Sequence, residues 1–340
     1  MKNTNFVFAD KLTSIIKHHY KNCNKYKKIL DFLNYNFKKK YKLEDQPFLP
    51  INLFKEHDLV SVPKNKIYKT LNSSGTTSNK LSKIYLDREN SYNQVKTLSQ
   101  IVTKVLGKKR LPMLIIDGLH DVKNKFNLNA KVAAINGFSI FGSNHTYILN
   151  ENKKINYKLL NIFLNKYADQ PFFIFGFTFN VYKNLLKNFN PKLIKKDFSN
   201  GILIHGGGWK KMEKLKVNSQ HFKKKLKKHI NIRSIFNYYG LIEQTGSIFL
   251  ECPSCNCLTT NEYSEVLIRD KDFQILPPGE KGFIQLLSLL PTSYPGHIIL
   301  TEDIGEIVEN SKECKICKFN KKFIIHGRHE KSEIRGCSDV

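Results

Sequence analysis

Apolar residues recur at three- and four-residue spacings through the first 45 positions. Phe8, Leu12, Ile15, Ile16, Ile29, Leu30 and Phe32 stand there among lysines, which predicts helix over residues 1–45. The segment PFLPINLF at 47–54 is punctuated by prolines and reads as extended chain packed on a larger body. From Lys69 onward, short apolar runs alternate with helical periodicity. Strands are expected at Ile84–Leu86, Met113–Ile116, Phe172–Phe175 and Ile202–Ile204, and helices around 90–106, 154–167 and 180–188. Strand, helix, strand with glycine-bearing loops is the α/β pattern. After 245 the helical spacing disappears, and strands are expected at Ser247–Leu250, Val266–Ile268, Gly282–Leu286, His297–Leu300, Gly305–Val308 and Lys322–Ile325. The plan is a helical N-terminal segment (1–68) and an α/β core (69–326) with a β-rich part at 247–325. A short, mobile tail (327–340) follows.

Composition narrows the class. Of 340 residues, 41% are hydrophobic and 12% aromatic, enough for a sizeable core, which excludes a disordered chain. The net charge of +27 is extreme, yet only six of the 56 basic residues are arginine. In a chain also rich in Asn, Ile, Phe and Tyr, a drift toward lysine accounts for the charge, and no nucleic-acid partner is expected. The longest apolar runs, such as Leu111–Ile116 and Phe283–Leu290, are strand-sized, against the roughly 18 residues a membrane helix needs. The N-terminus shows no apolar signal-peptide core, so a soluble, cytoplasmic protein is expected. The run WKKMEKLKVNSQHFKKKLKKH (209–229) describes a helix with one basic face, solvated in the plain reading and a dock for acidic groups in the other.

Five of the seven cysteines fall in two groups, Cys252-x-x-Cys255-x-Cys257 and Cys314-x-x-Cys317. Two C-x-x-C turns can close a tetrahedral zinc site, and Cys252, Cys255, Cys314 and Cys317 are the expected ligands, with Cys257 as the substitute. Four thiolates leave no open position, so such a zinc would staple the β-rich part. Cys23 is expected to be a buried small apolar residue. His120, His145, His205 and His297 show no metal-ligand spacing, and His205 alone stands where it could line a pocket.

Four further segments carry candidate chemistry. Leu71–Ser78 (LNSSGTTS) concentrates hydroxyls and close backbone N–H groups, as a phosphate chain requires, but is not a P-loop. Tyr238–Gln244 (YYGLIEQ) sets an aromatic ring, a glycine and a carboxylate in close order, fit to stack on a base and hold Mg²⁺. Leu300–Gly305 (LTEDIG) puts Asp303 at a strand-to-turn position where it could accept from ribose hydroxyls, and His326–His329 (HGRH) sets Arg328 after a glycine. Alone, each is a polar turn, a hairpin, a surface carboxylate or a surface arginine.

In this order they resemble the adenylate-forming superfamily of acid-activating ligases. PFLPINLFK, SSGTT with SKIYLD, HGGGWKK, YYGLIEQTGSIFLEC, SYPGHIILTEDIGE and GRHEKSEIRGCSD together resemble LuxE-type acyl-protein synthetases (fatty acid–protein ligases), cousins of the phenylacetate–coenzyme A ligases, from about residue 47 onward. The resemblance implies an α/β fold: the large N-terminal domain of an adenylate-forming enzyme, mixed sheets with helices plus a β-rich part. A C-terminal lid domain is expected to be essentially absent, as the chain stops twelve residues after Arg328. It implies that Ser73, Ser74, Gly75, Thr76 and Thr77 wrap the ATP phosphates. Gly206, Gly207 and Gly208 would form the loop against adenine and acyl group, and Tyr239, followed by Gly240, would stack on adenine. Glu243 would bind Mg²⁺, and Asp303 with Arg328 would hold the ribose and α-phosphate.

Two departures stand out. Ser78 replaces the glycine usual in the family's loop, and the lid's lysine is dispensed with or replaced by Lys80, Lys83 or Lys210. The resemblance further implies that Cys337, in Arg335-Gly-Cys-Ser-Asp, takes the acyl group as a thioester; a nearby arginine favours the thiolate. Phe175–Phe179 (FGFTF) is expected in the core, or as the wall of an acyl tunnel. The implied function is ATP-dependent activation of a carboxylic, most simply a fatty, acid and its transfer to a protein thiol. An acyl reductase or acyl carrier protein would be the acceptor partner. The alternatives are an aryl- or acyl–coenzyme A ligase, an acyltransferase-like protein of surface-polysaccharide assembly, and a basic binding module with a relic site.

Overall fold

The computed structural model describes residues 2–73, 81–120, 130–207, 219–309, 314–317 and 320–329. Among these, one compact unit holds the residues up to 73, 81–98 and those from 240 onward, and a second holds those between 99 and 239.

The first unit opens with helix α1 (Lys2–Asn22) and helix α2 (Asn24–Phe32). Leu12, Ile16, His19, Cys23, Tyr26 and Leu30 form one buried stripe along both, at helical intervals. Helix does not continue to residue 45. Asn34 takes a left-handed φ of 50°, and the Tyr35 N–H turns back to the Leu30 carbonyl at 3.0 Å, a closure that ends α2. Phe32, expected on the apolar face, is 84% exposed. PFLPINLF is extended only at strand β1 (Leu49–Pro50) and then coils into helix α3 (Leu53–Glu56). A hairpin of β2 (Lys69–Asn72) and β3 (Lys83–Leu86) follows, then helix α4 (Arg88–Leu106), whose residues from Ser99 onward are counted in the second unit.

The second unit alternates β4 (Leu111–Gly118), α5 (Ala130–Ser139), β5 (Gly142–Leu149), α6 (Tyr157–Tyr167) and β6 (Phe172–Phe177). It continues with α7 (Thr178–Val181), which runs into a π-helix over Tyr182–Lys187, then β7 (Gly201–Gly206), α8 (Ser219–Ile230) and β8 (Ser234–Tyr239). Its strands are all parallel, in the order β5-β4-β6-β7-β8. A parallel sheet covered on both faces needs continuous apolar strands, and Met113–Ile116 and Phe172–Phe175 are fully buried. Leu114, Ile116, Ile174 and Leu203 meet α6 and α8 through Leu160, Phe163, Phe222 and Leu226. On the opposite face Phe175 and Tyr238 pack against Phe138 of α5, at ring distances of 4.5 and 4.9 Å. Phe175 and Phe177 are thus core residues. Helix α6 starts at 157, where the Asn156 side chain accepts from the Leu159 N–H.

The rest of the first unit is antiparallel. Strands β9 (Phe249–Glu251), β10 (Leu258–Thr259), β11 (Ser264–Arg269), β12 (Gly282–Ser288), β13 (Ile298–Ile307) and β14 (Lys322–Arg328) lie in the order β11-β12-β13-β14-β10-β9, with β1 parallel to β13. The two strands expected at 297–300 and 305–308 are one. Its register against β14 shifts between Ile304 and Gly305, and a Cβ on Gly305 would lie 2.6 Å from the Ile324 carbonyl oxygen. Among the described residues no helix is long and apolar enough to cross a membrane.

Candidate functional site

Ser73 closes the β2–β3 hairpin. Its N–H donates to the Ser82 carbonyl and its Oγ accepts from the Ser82 N–H, both at 2.9 Å, so the stem of the hydroxyl-rich loop is pinned in register. Ser74, Gly75, Thr76, Thr77 and Lys80 lie outside the described residues, as do Gly208, Lys210 and Cys337. Lys83 is on β3, half exposed, 4.0 Å from Asp58.

In the second unit, Gly206 ends β7 and Gly207 follows with a φ of 78°, where a side chain is strained. A Cβ on Gly206 would sit 2.3 Å from the Tyr238 ring, so the strand end has room only for glycine. Tyr239, the last residue of β8, is half-buried. These residues stand at the C-terminal edge of a parallel sheet, where open α/β sheets take their ligands.

In the first unit, Glu243 lies in a 3₁₀ turn, Ile242–Gln244, and is 3% exposed. The turn locks onto the SYPGH segment: the Gln244 amide donates to the Gly296 carbonyl at 2.8 Å and to the Leu286 carbonyl at 3.2 Å. A Cβ on Gly296 would come within 2.5 Å of the Glu243 carbonyl oxygen. Burial, and secondly the charge of Glu243, push the Tyr294 phenol well above its ordinary range, so Tyr294 stays neutral beside the carboxylate. Gly240 packs against Ile248.

Asp303 is not at a strand end. It lies within β13, directly opposite Arg328 of β14, because β13 runs unbroken to Ile307. The Arg328 guanidinium Nε is 3.3 Å from Asp303 Oδ1 and its NH1 is 3.7 Å from Glu302. The two side chains are 13% and 20% exposed, which leaves the pair within reach of a ligand.

The two cysteine groups converge. Cys252, Cys255, Cys314 and Cys317 offer sulfurs all within 4.8 Å of one another. Cys252 and Cys314 are 3.6 Å apart, and Cys255 and Cys317 are 3.5 Å apart. Disulfides would need about 2.05 Å. Four sulfurs at ~2.3 Å from one centre lie about 3.8 Å apart, so the set fits a tetrahedral zinc. Cys257 stands outside it, its thiol donating to the Cys255 carbonyl at 3.6 Å. The first knuckle bridges β9 to β10 and is turned by Asn256 at a φ of 57°. Hydrogen bonds from Cys317 draw the Cys314 thiol down to about 6, whereas burial pushes Cys317 up.

Three further polar clusters are buried, and of their histidines only His205 is expected from the sequence to line a pocket. In the second unit Lys131 Nζ and Asp117 Oδ1 pair at 2.9 Å, each side chain 4% exposed. The Asn180 amide reaches Asp117 at 3.4 Å, and burial, with Asp117 adding to it, raises the Tyr147 phenol. In the same unit His205 Nδ1 meets the Thr178 hydroxyl at 2.9 Å against the Phe222 ring; burial and then Lys223 lower it to about 3. In the first unit His19 and His297 stack with centroids 4.8 Å apart. His19 bonds Ser61 at 2.7 Å and the Pro291 carbonyl at 3.0 Å, and Tyr26 meets His297 at 3.1 Å.

A family model described as acyl-protein synthetase, LuxE, matches residues 2–340. No curated protein sequence matches the chain. Among solved structures, 2-hydroxyisobutyryl-CoA ligase in an open conformation with 2-HIB-AMP and CoA superposes with a TM-score of 0.73 at 12% identity. The match covers 95% of this chain and 69% of that one. Amide bond synthetase McbA from Marinactinospora thermotolerans gives 0.51 at 14% identity, over 78% and 49% of the two chains. ATP-bound MatB from Rhodopseudomonas palustris gives 0.50 at 13%, over 79% and 49%. The fold is therefore that of the adenylate-forming ligases, as the motifs implied.

Proposed function

Because the chain belongs to the LuxE acyl-protein synthetase family, we propose that it is an ATP-dependent ligase that activates a fatty acid as its adenylate and passes the acyl group to a protein thiol. The family match over residues 2–340 carries this reading, and the Asp303–Arg328 pair supports it. The loop that begins at Ser73 would hold the phosphates, Tyr239 the adenine and Asp303 the ribose hydroxyls, with Glu243 as the carboxylate for Mg²⁺. The donor set fits. Asp303 is an acceptor whose charge is balanced by Arg328, and glycine at 206 keeps the β7 end free of side chain. ATP supplies the adenylyl group and the pyrophosphate leaving group; magnesium neutralises the phosphates.

The acid's carboxylate oxygen attacks the α-phosphorus as the bond to pyrophosphate breaks. The nucleophile is already ionised, so no base is required, and the chain's work is positioning and charge balance. In the second step a thiolate attacks the acyl carbonyl and AMP leaves. Cys337 is the proposed acceptor, before a partner protein. The four-cysteine cluster is assigned a structural zinc.

The test is the intact mass of the protein after incubation with ATP, Mg²⁺ and saturated fatty acids. A hydroxylamine-labile gain of one acyl group, lost in Cys337→Ser, is expected. AMP formation only in the presence of coenzyme A would overturn the protein-thiol acceptor in favour of a coenzyme A ligase. Elemental analysis should find one zinc per chain, and none after Cys252→Ser/Cys314→Ser.

A further inference from the structure

The second unit carries a feature to which none of the residues proposed for adenylation belongs. A cavity of about 580 Å³ opens between the π-helix and α8, lined by Tyr182, Leu186, Lys187, Pro191, Lys225, Lys228 and His229. Its floor is held from below. Tyr182 packs on Phe222, Phe189 meets the His229 ring edge-on at 5.9 Å, and the Asn188 N–H bonds the Lys183 carbonyl in the widened π pattern. Tyr182, Leu186 and Pro191 give the recess an apolar side, and Lys187, Lys225 and Lys228 among its lining stand exposed.

The charge here is more than lysine drift. The chain holds 29 acidic residues to 56 basic ones, yet segments 178–196 and 219–232 contain ten lysines and no Asp or Glu. Flanking carboxylates are already engaged: Asp169 with Lys196, and Asp197 with the Asn231 amide at 2.6 Å and the Ser199 N–H at 2.9 Å. Among the described residues none of these three lysines pairs with a carboxylate. Apolar surface continues beside the recess. The 3₁₀ turn that brings Pro191 to the wall leaves Leu193 50% exposed, and Asn161 of α6 ties that turn down through the Leu193 carbonyl at 2.7 Å. Next to Asn161, Leu159 and Ile162 share one helix face at 40% and 56% exposure.

From this we infer that the face built by the π-helix, the 191–193 turn and α8 docks an acidic amphipathic helix of the protein that receives the acyl group. A row of Asp and Glu would meet the three lysines while apolar side chains of the same helix enter the recess. The inference rests on the proposed transfer to a protein thiol for the partner's role, but not for its binding. A nucleic acid offers no apolar knob for the recess, and a bilayer would leave a concave floor unfilled.

The probe is an apo acyl carrier protein, an acidic helical protein, titrated against the full chain at low and high salt. Binding is expected at 25 mM NaCl, weakened roughly tenfold by Lys225→Glu/Lys228→Glu and by raising the salt several-fold. Lys108→Glu/Lys109→Glu, an equal charge change at exposed lysines after α4, should shift it by no more than about twofold. Equal losses in both double variants, or no binding by the native chain, overturn the inference. So does binding to anionic phospholipid vesicles, but not to the carrier protein, lost in the same variant. ATP–pyrophosphate exchange is read on the same samples and should not change in Lys225→Glu/Lys228→Glu. Docking by a chain that shows no exchange would sink the enzymatic reading and leave this one standing.

Discussion

The two units enclose polar groups by different means. In the first, two buried imidazoles, His19 and His297, stack against each other and bond Ser61, Tyr26 and a backbone carbonyl. Its Asp303–Arg328 ion pair and its Glu306–His326 contact stay 13–31% exposed. The second unit keeps charge and seals it, with Lys131 and Asp117 each 4% exposed at 2.9 Å. A neutral buried base makes stability a function of pH. A sealed pair makes it depend on both partners being present, and a half-open pair leaves charge for a ligand.

Acid should separate the units most. Burial lowers His19 well below its ordinary value and brings His297 and His205 to about 3. The unfolded chain takes up these protons near pH 6.5 and the folded chain does not, so stability is full above about pH 7 and falls below it. At pH 5 His297 and His205 each cost about 2 kcal/mol, and His19 adds to the loss in the first unit, so that unit should lose more than the second. Urea unfolding at pH 7 and pH 5, with hydrogen exchange to assign protection to β11–β14 or to β4, β6 and β7, measures this. Equal loss in both units would break the comparison.

Removing one partner of the sealed pair should hurt the second unit alone. Lys131→Met leaves Asp117 charged without its cation, at a cost of roughly 3–5 kcal/mol. Denaturant midpoints give the magnitude, and hydrogen exchange should show β4 opening while β12 and β13 keep their protection. A loss under about 1 kcal/mol would mean that solvent reaches the pair.

That pair also marks where sequence reading stops. Continuous apolar runs betray strands buried on both faces, so β4 and β6 are legible. β5 (GSNHTYIL) is not, because it is the edge of its sheet and several of its polar side chains face solvent. Helix α5 buries Val132, Ile135 and Phe138, but Gly137 and a largely apolar composition blur its period. The four thiols are legible because C-x-x-C spacing already half-builds a site. Geometry brings those four sulfurs together and leaves Cys257 outside them. Glu243, Asp303 and Arg328 are legible only through long motifs; that Asp303 pairs across a ladder follows from β13 being continuous, which Gly305 hides. Lys131 and Asp117 stand fourteen positions apart in a chain crowded with lysine, and no local pattern distinguishes them.

The half-open pair should behave conversely to the sealed one. Asp303→Asn keeps the shape of the side chain and removes its charge. ATP–pyrophosphate exchange should fall about 10²-fold, the size of a lost charge-positioning contact. Stability should change by less than about 1 kcal/mol, because water already reaches both partners. A large drop in melting temperature with exchange retained would recast the pair as a second structural lock.

The smallest effect belongs to Glu306 and His326, which sit on the same two strands at 3.2 Å and 21% and 31% exposure. His326→Gln leaves a polar side chain of similar reach and removes the imidazole beside Glu306. The expected cost is below about 1 kcal/mol, with exchange activity within about twofold of native. This variant sharpens the preceding one, since both act on the β13–β14 ladder. If His326→Gln also lowered exchange about 10²-fold, the Asp303→Asn loss would have to be assigned to a loosened ladder rather than to the missing carboxylate charge. If it does not, the chemistry sits in Asp303 and Arg328, and exposure alone does not make an ion pair on this sheet functional.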